Sequence, residues 1–231
     1  MAQISSKLEV YLEIGKKRTF AGVIAWPGWC QSTGDEHSAL QALFDYRARY
    51  ERVLYTTNLG FHAPTEVAVF TVIEKLEGNT TTDFGAPDIA PTKDKLPVDE
   101  IELLRFQTLL EACWQALDET VRNANGKELR KGPRGGGRDL EAIFQHVLEA
   151  ERAYLGRLGW HLKKSEESDP GKALSQTRDV ILEALRAAAH GQIPAQGPRG
   201  GMRWTPRYFV RRATWHVLDH VWEIEDCLTP Y

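Results

Sequence analysis

Hydrophobic and polar positions alternate at the start of the chain and then change period, and the change divides the chain in two. Leu8, Val10, Leu12 and Ile14 alternate with Glu9, Tyr11 and Glu13, the period of a strand with one face buried. Gly15-Lys16-Lys17 reads as a turn and 19–26 as a second strand, so the pair predicts a hairpin ended by Pro27-Gly28. Thr33-Gly34-Asp35 supplies turn and cap chemistry for a helix over about 35–56, with Ala39, Leu43, Tyr46, Tyr50, Val53 and Leu54 on its apolar face. The segment 67–73 is apolar and β-branched enough for a further strand.

Residues 78–97 are polar and punctuated by Gly78, Gly85, Pro87, Pro91 and Pro97, the composition of a linker between domains. From 98 onward the period is helical. Segment 98–123 places Leu103, Phe106, Leu110, Cys113, Leu117 and Val121 on one face, and 139–158 does the same with Leu140, Ile143, Val147, Tyr154 and Leu158. Segment 172–189 carries Leu174, Ile181, Leu185 and Ala188, with Gly191 placed to end it. Segment 205–228 opens on Pro206, which suits a first helical turn. Four amphipathic helices in a row predict a bundle. The expectation is an α+β chain: a small β-β-α-β module over 1–77, a linker over 78–97 and a four-helix bundle over 98–231.

The candidate chemistry lies in the last helix. His216 and His220 are four residues apart and share one face. At about 100° per residue, Phe209, Ala213, Val217, Val221, Ile224 and Leu228 form an apolar arc that contains His220 and borders His216. An imidazole facing a core needs a partner for each ring nitrogen. His146 holds a similar place beside Ile143, Ala150 and Tyr154 on the second helix of the bundle. Three neutral imidazoles suit zinc, nickel, copper or iron(II) and leave coordination positions open, the pattern of a catalytic site. Glu149, Asp219 and Glu223 are near enough on the helical wheels to orient imidazoles or serve as a base. The other reading of each feature is structural: half-buried polar residues and a solvated face.

A short repeat, GPRGGGR at 132–138 and GPRGGMR at 197–203, precedes the two helices that carry the histidines. Its exposed backbone N–H groups with Arg134, Arg138, Arg199 and Arg203 make a candidate anion-binding element, against a flexible connector. Cys30, Cys113 and Cys227 form no close pair, so neither a disulfide framework nor a cysteine zinc site is expected. A formal charge of −3 gives no general attraction to nucleic acid or anionic lipid. No apolar run approaches the ~20 residues of a membrane span. The first residues lack the apolar core of a secretory signal, and the chain reads as cytoplasmic.

The segments FQHVLEAERAYLGRLGW, from Phe144, and YFVRRATWHVLDHVWEIEDCL, from Tyr208, resemble the DinB-like family of metal-binding four-helix bundles. That resemblance covers about 98–228 and puts His146, His216 and His220 on the family's ligand positions. It implies a divalent metal, most often nickel or zinc, and a thiol-dependent transferase or isomerase that uses a low-molecular-weight thiol cosubstrate such as bacillithiol, mycothiol or glutathione. It implies no further catalytic residue. Its usual up-down-down-up order would put the two glycine loops at opposite ends. The segment FAGVIAWPGWCQSTGDEHSALQAL resembles a HicB-like domain, which implies a module able to bind a toxin-like protein partner. The leading expectation is a metal-dependent transferase acting on a small electrophilic substrate, with the small module shaping the pocket or building a homodimer. The alternatives are a regulatory or protein-binding module with a structural metal, and a metal-dependent hydrolase.

Overall fold

A computed structural model describes residues 7–130, 137, 139–162 and 169–228. It divides into two compact units, Met1–Leu96 and Pro97–Tyr231, and the class is α+β. The first unit holds a four-stranded sheet of order β3-β2-β1-β4, with β1 Leu8–Ile14, β2 Thr19–Val23, β3 Cys30–Thr33 and β4 Phe70–Glu77. The expected hairpin is present: β1 pairs antiparallel with β2, joined through Gly15 to Arg18. β3, which the sequence does not announce, is four residues long and pairs antiparallel with β2. The chain then crosses over and returns as β4, parallel to β1.

The helix expected over 35–56 is two helices, α1 Glu36–Asp45 and α2 Arg47–Leu54, separated at Tyr46. Asp35 caps α1 by accepting from the Ser38 N–H. α1 lies against β2 and β3. There Trp29 donates its indole N–H to the Leu43 carbonyl at 2.8 Å and stacks on Tyr50, whose hydroxyl donates to the Pro27 carbonyl. The expected strand at 67–73 begins three residues late, because Val67–Val69 forms a 3-10 turn first.

β1 is buried on both faces. Tyr11 and Glu13, on the side read as polar, are 1 % and 0 % exposed. Gly22 pairs with Tyr11, and a Cβ on it would lie 2.5 Å from the Tyr11 ring, so the absence of a side chain lets the ring lie across β2. The cover over Glu13 comes from the polar stretch read as a linker. That stretch is folded. It forms the short helix α3 Thr80–Phe84, capped by Asn79, and a 3-10 turn at Thr92–Lys95. Glu13 accepts the Thr82 hydroxyl at 2.5 Å, the Asp88 N–H at 2.9 Å and the Ile89 N–H at 3.1 Å. Burial pushes the Glu13 carboxyl above its ordinary range, and these donors partly offset it. The compact unit accordingly runs to Leu96.

The second unit is a bundle of α4 Glu100–Ala124, α5 Leu140–Leu158, α6 Pro170–Ala189 and α7 Pro206–Leu228. The expected bounds are met within two residues, for local reasons. Asp99, Asp139 and Asp169 each accept an N–H from the first turn of the helix they precede, which satisfies one of its orphan donors. Gly159, at φ 97°, stops α5 in the left-handed conformation glycine tolerates. α7 packs beside α4 and α5, and α5 beside α6. Their inward residues, among them Leu110, Leu117, Ile143, Val147, Ile181, Leu185, Phe209 and Val217, are all at most 1 % exposed. Among the described residues, no helix is long and apolar enough to cross a membrane.

Candidate metal centre

α7 is buried along most of its length, and several of its polar side chains are buried with it. His216 and His220 are 7 % and 4 % exposed. α5 lies alongside and contributes the half-buried His146. The ligand atoms of the three rings all fall within 4.8 Å of one another. His146 Nε2 is 3.2 Å from His216 Nε2, and His220 Nε2 is 3.3 Å from the same atom. Tetrahedral nitrogens at a Zn–N distance of 2.0–2.1 Å stand about 3.3 Å apart. The three rings are thus spaced as ligands of one small cation.

The carboxylate of Glu223 adds a polarity to this arrangement. Its Oε2 is 2.6 Å from His220 Nδ1. A carboxylate there accepts the Nδ1–H, which leaves the lone pair of the neutral ring on Nε2 and aims it at the cluster. His216 Nε2 faces two other ring nitrogens at once, and one ring nitrogen carries at most one hydrogen. It cannot make a good hydrogen bond to both. A cation among the three lone pairs satisfies all of them together, so the donor set fits a divalent metal of the zinc and nickel type.

Aromatic side chains wall the cluster. The Tyr154 ring centroid is 5.5 Å from that of His216, and Trp215 is 6.3 Å from it. Trp204 packs on both Tyr154 and Tyr208. Between Tyr154 and Trp215 lies the guanidinium of Arg212, its Cζ 5.2 Å from one ring centroid and 4.6 Å from the other. Arg212 is 8 % exposed, and its Nη1 is buried without a hydrogen-bond partner. Sequence reasoning passed over this residue. The signal was a cation one turn before His216, on the face that carries the ligands.

Of the other candidates, Glu223 is placed as the orienting carboxylate. Glu149 and Asp219 are exposed, and Glu149 accepts from the Gln145 side chain. The second glycine loop folds as a tight turn closed by Gly197 N–H to the Gly201 carbonyl at 2.8 Å. Arg203 Nη1 donates to the Pro194 carbonyl, and the side chain packs over Gly159, where a Cβ would lie 2.4 Å from its Nε. Arg203 thus holds loop to helix end, and Arg199 is exposed. Arg134 and Arg138 lie outside the described residues.

A second polar cluster sits elsewhere in the bundle. Glu151 of α5 is 1 % exposed, with Arg178 Nε 3.8 Å from Oε2 and the Trp114 indole beside it. Neither carboxyl oxygen has a hydrogen-bond partner. Arg178 instead turns its Nη1 onto both oxygens of Asp118, at 2.8 and 2.9 Å. Burial pushes the Glu151 carboxyl up to about 7 against the pull of that arginine. A surface groove passes over Trp114, Asp118 and Arg178 but contains none of the three histidines. Cys30 and Cys113 are buried and not joined in a disulfide, and burial raises the Cys113 thiol far above its ordinary value.

Comparison of the chain with protein-family models, with curated proteins and with solved structures finds no match.

Proposed function

We propose that His146, His216 and His220 bind one divalent metal, nickel or zinc, in a DinB-like bundle, and that the centre serves a thiol-dependent transferase acting on a small electrophile. The observation that carries this reading is the convergence of three Nε2 atoms, with His216 Nε2 3.2 and 3.3 Å from the other two. When bound, the metal supplies positive charge that favours thiolate over thiol at neutral pH.

The chain's own residues do the rest. Glu223 fixes the His220 tautomer and ring plane. Tyr154, Trp204, Tyr208 and Trp215 exclude water from the ligand side, which strengthens every charge interaction there. Three ligands rather than four favour chemistry over a purely structural metal. The first unit is proposed as a HicB-like module.

The test is elemental analysis of metal-loaded protein. One equivalent of metal per chain is expected. A His216→Ala, His220→Ala double variant should lose it while keeping its helical circular dichroism. Full retention by that variant overturns the assignment.

A further inference from the structure

Arg212 is difficult to explain as packing alone. A guanidinium has five donors in a rigid fork and keeps its charge at any physiological pH. This one is 8 % exposed, and no carboxylate among the described residues forms an ion pair with it. The faces of Tyr154 and Trp215 compensate its charge in part. They do not accept the in-plane hydrogen of Nη1, which is buried and unpaired. Buried donors are almost always satisfied, by protein, water or ligand.

Its place in the fold says which ligand. Arg212 precedes His216 by one turn on α7, about 6 Å along the axis. The two rings that clasp it, Tyr154 and Trp215, are the rings that also touch His216. The unpaired donor and the histidine cluster therefore share one aromatic wall. Arg203, which packs over Gly159 at the end of α5, is already committed to the Pro194 carbonyl.

We propose that Arg212 is the anion-binding residue of the histidine centre: it takes the carboxylate of a small molecule whose thiol or electrophilic end reaches the metal. This rests on the metal reading above. It narrows the ligand class to small carboxylates, against neutral thiols and neutral electrophiles.

The test uses the full chain substituted with cobalt. Two thiols are compared through the sulfur-to-cobalt charge-transfer band: 3-mercaptopropionate, which carries a carboxylate, and 2-mercaptoethanol, which does not. Wild type should prefer the carboxylate thiol by about ten-fold, the worth of a charge-assisted bidentate pair. Arg212→Lys keeps the charge and the packing but loses the fork, and should lose most of that preference with cobalt content unchanged. Arg212→Met should lose all of it. If the Met variant does not fold, the Lys variant decides. No preference in wild type, or the same preference in Arg212→Lys, overturns the proposal. If wild type takes up no cobalt, the metal reading fails separately, and malonate titrated into metal-free protein decides Arg212 through tryptophan fluorescence. Weakening of malonate binding by about ten-fold in Arg212→Lys supports the assignment. Equal binding by the two proteins, or none, overturns it.

Discussion

Glu151 gives the bundle a pH dependence of defined sign. The carboxyl is buried beside the Trp114 indole, and the arginine nearest it is engaged with Asp118. Its pKa rises from 4.5 to about 7 on folding. At pH values between these two, the folded chain binds a proton that the unfolded chain has released. Stability then falls as pH rises through that window. The contribution is fully present below pH 4.5 and lost above about pH 7. At about 1.4 kcal/mol per pK unit, the difference across the window is about 3 kcal/mol.

The perturbation is Glu151→Gln, which keeps the volume and stays neutral at every pH. Urea unfolding of wild type and variant, each with chelator present, gives two stability curves between pH 4 and 8. Contributions common to both proteins and distant from position 151 cancel in the difference, because distant sites add. The two proteins should be close in stability near pH 4.5, and the variant should gain on wild type by about 3 kcal/mol by pH 8. Curves that stay parallel over the whole range would refute the reasoning: they would mean that Glu151 is ionised in the folded chain and that Arg178 compensates it.

Two further outcomes follow from the fold. Glu13→Ala should destabilise the first unit by roughly 3 kcal/mol, through loss of donors bonded to a carboxylate, and should open 78–96 to limited proteolysis, a stretch expected to resist it in wild type. A chain beginning at Pro97 should fold alone as a helical protein, since its core is internal to the unit; a fragment without cooperative thermal unfolding by circular dichroism would count against separable units.

What was legible in the sequence had a local cause. The four long helices were marked by their 3.6-residue period, with Pro206 at the start of the last; the caps at Asp99, Asp139 and Asp169 show only in the structure. The histidines were legible because a four-residue spacing fixes a shared face whatever the tertiary structure. What stayed hidden was decided by contacts distant in sequence. Glu13 reads as a solvent-facing strand residue until 78–96 folds over it, 69 to 76 positions later. The same blindness turned that segment into a linker, since its prolines and glycines mark turns equally well in a folded cover. β3 is too short to show a period, and the break at Tyr46 falls inside a continuous apolar face. Arg212 could be placed on the ligand face, but no wheel shows that a cation there lies between two rings from different helices.

Charge balance around the histidines leads to a last expectation. Three neutral imidazoles bring no charge to a dication, and Glu223 contributes one negative charge, which the Arg212 guanidinium offsets. The loaded site is therefore strongly positive in a water-poor setting, whereas the metal-free site is near neutral. An anion that occupies Arg212 should bind better to the loaded protein, and by reciprocity the metal should bind better when that anion is present. The coupling expected is of the usual size, about 5–150-fold, and it should be the same factor measured from either side. Cobalt affinity would be measured with and without 3-mercaptopropionate, corrected for the complex the thiol forms with free cobalt, and thiol affinity with and without cobalt. Arg212→Lys should shrink both factors together. A thiol that binds while leaving cobalt affinity unchanged would place its site away from the histidines, and the shared aromatic wall of Tyr154 and Trp215 would then be packing without a role in recognition.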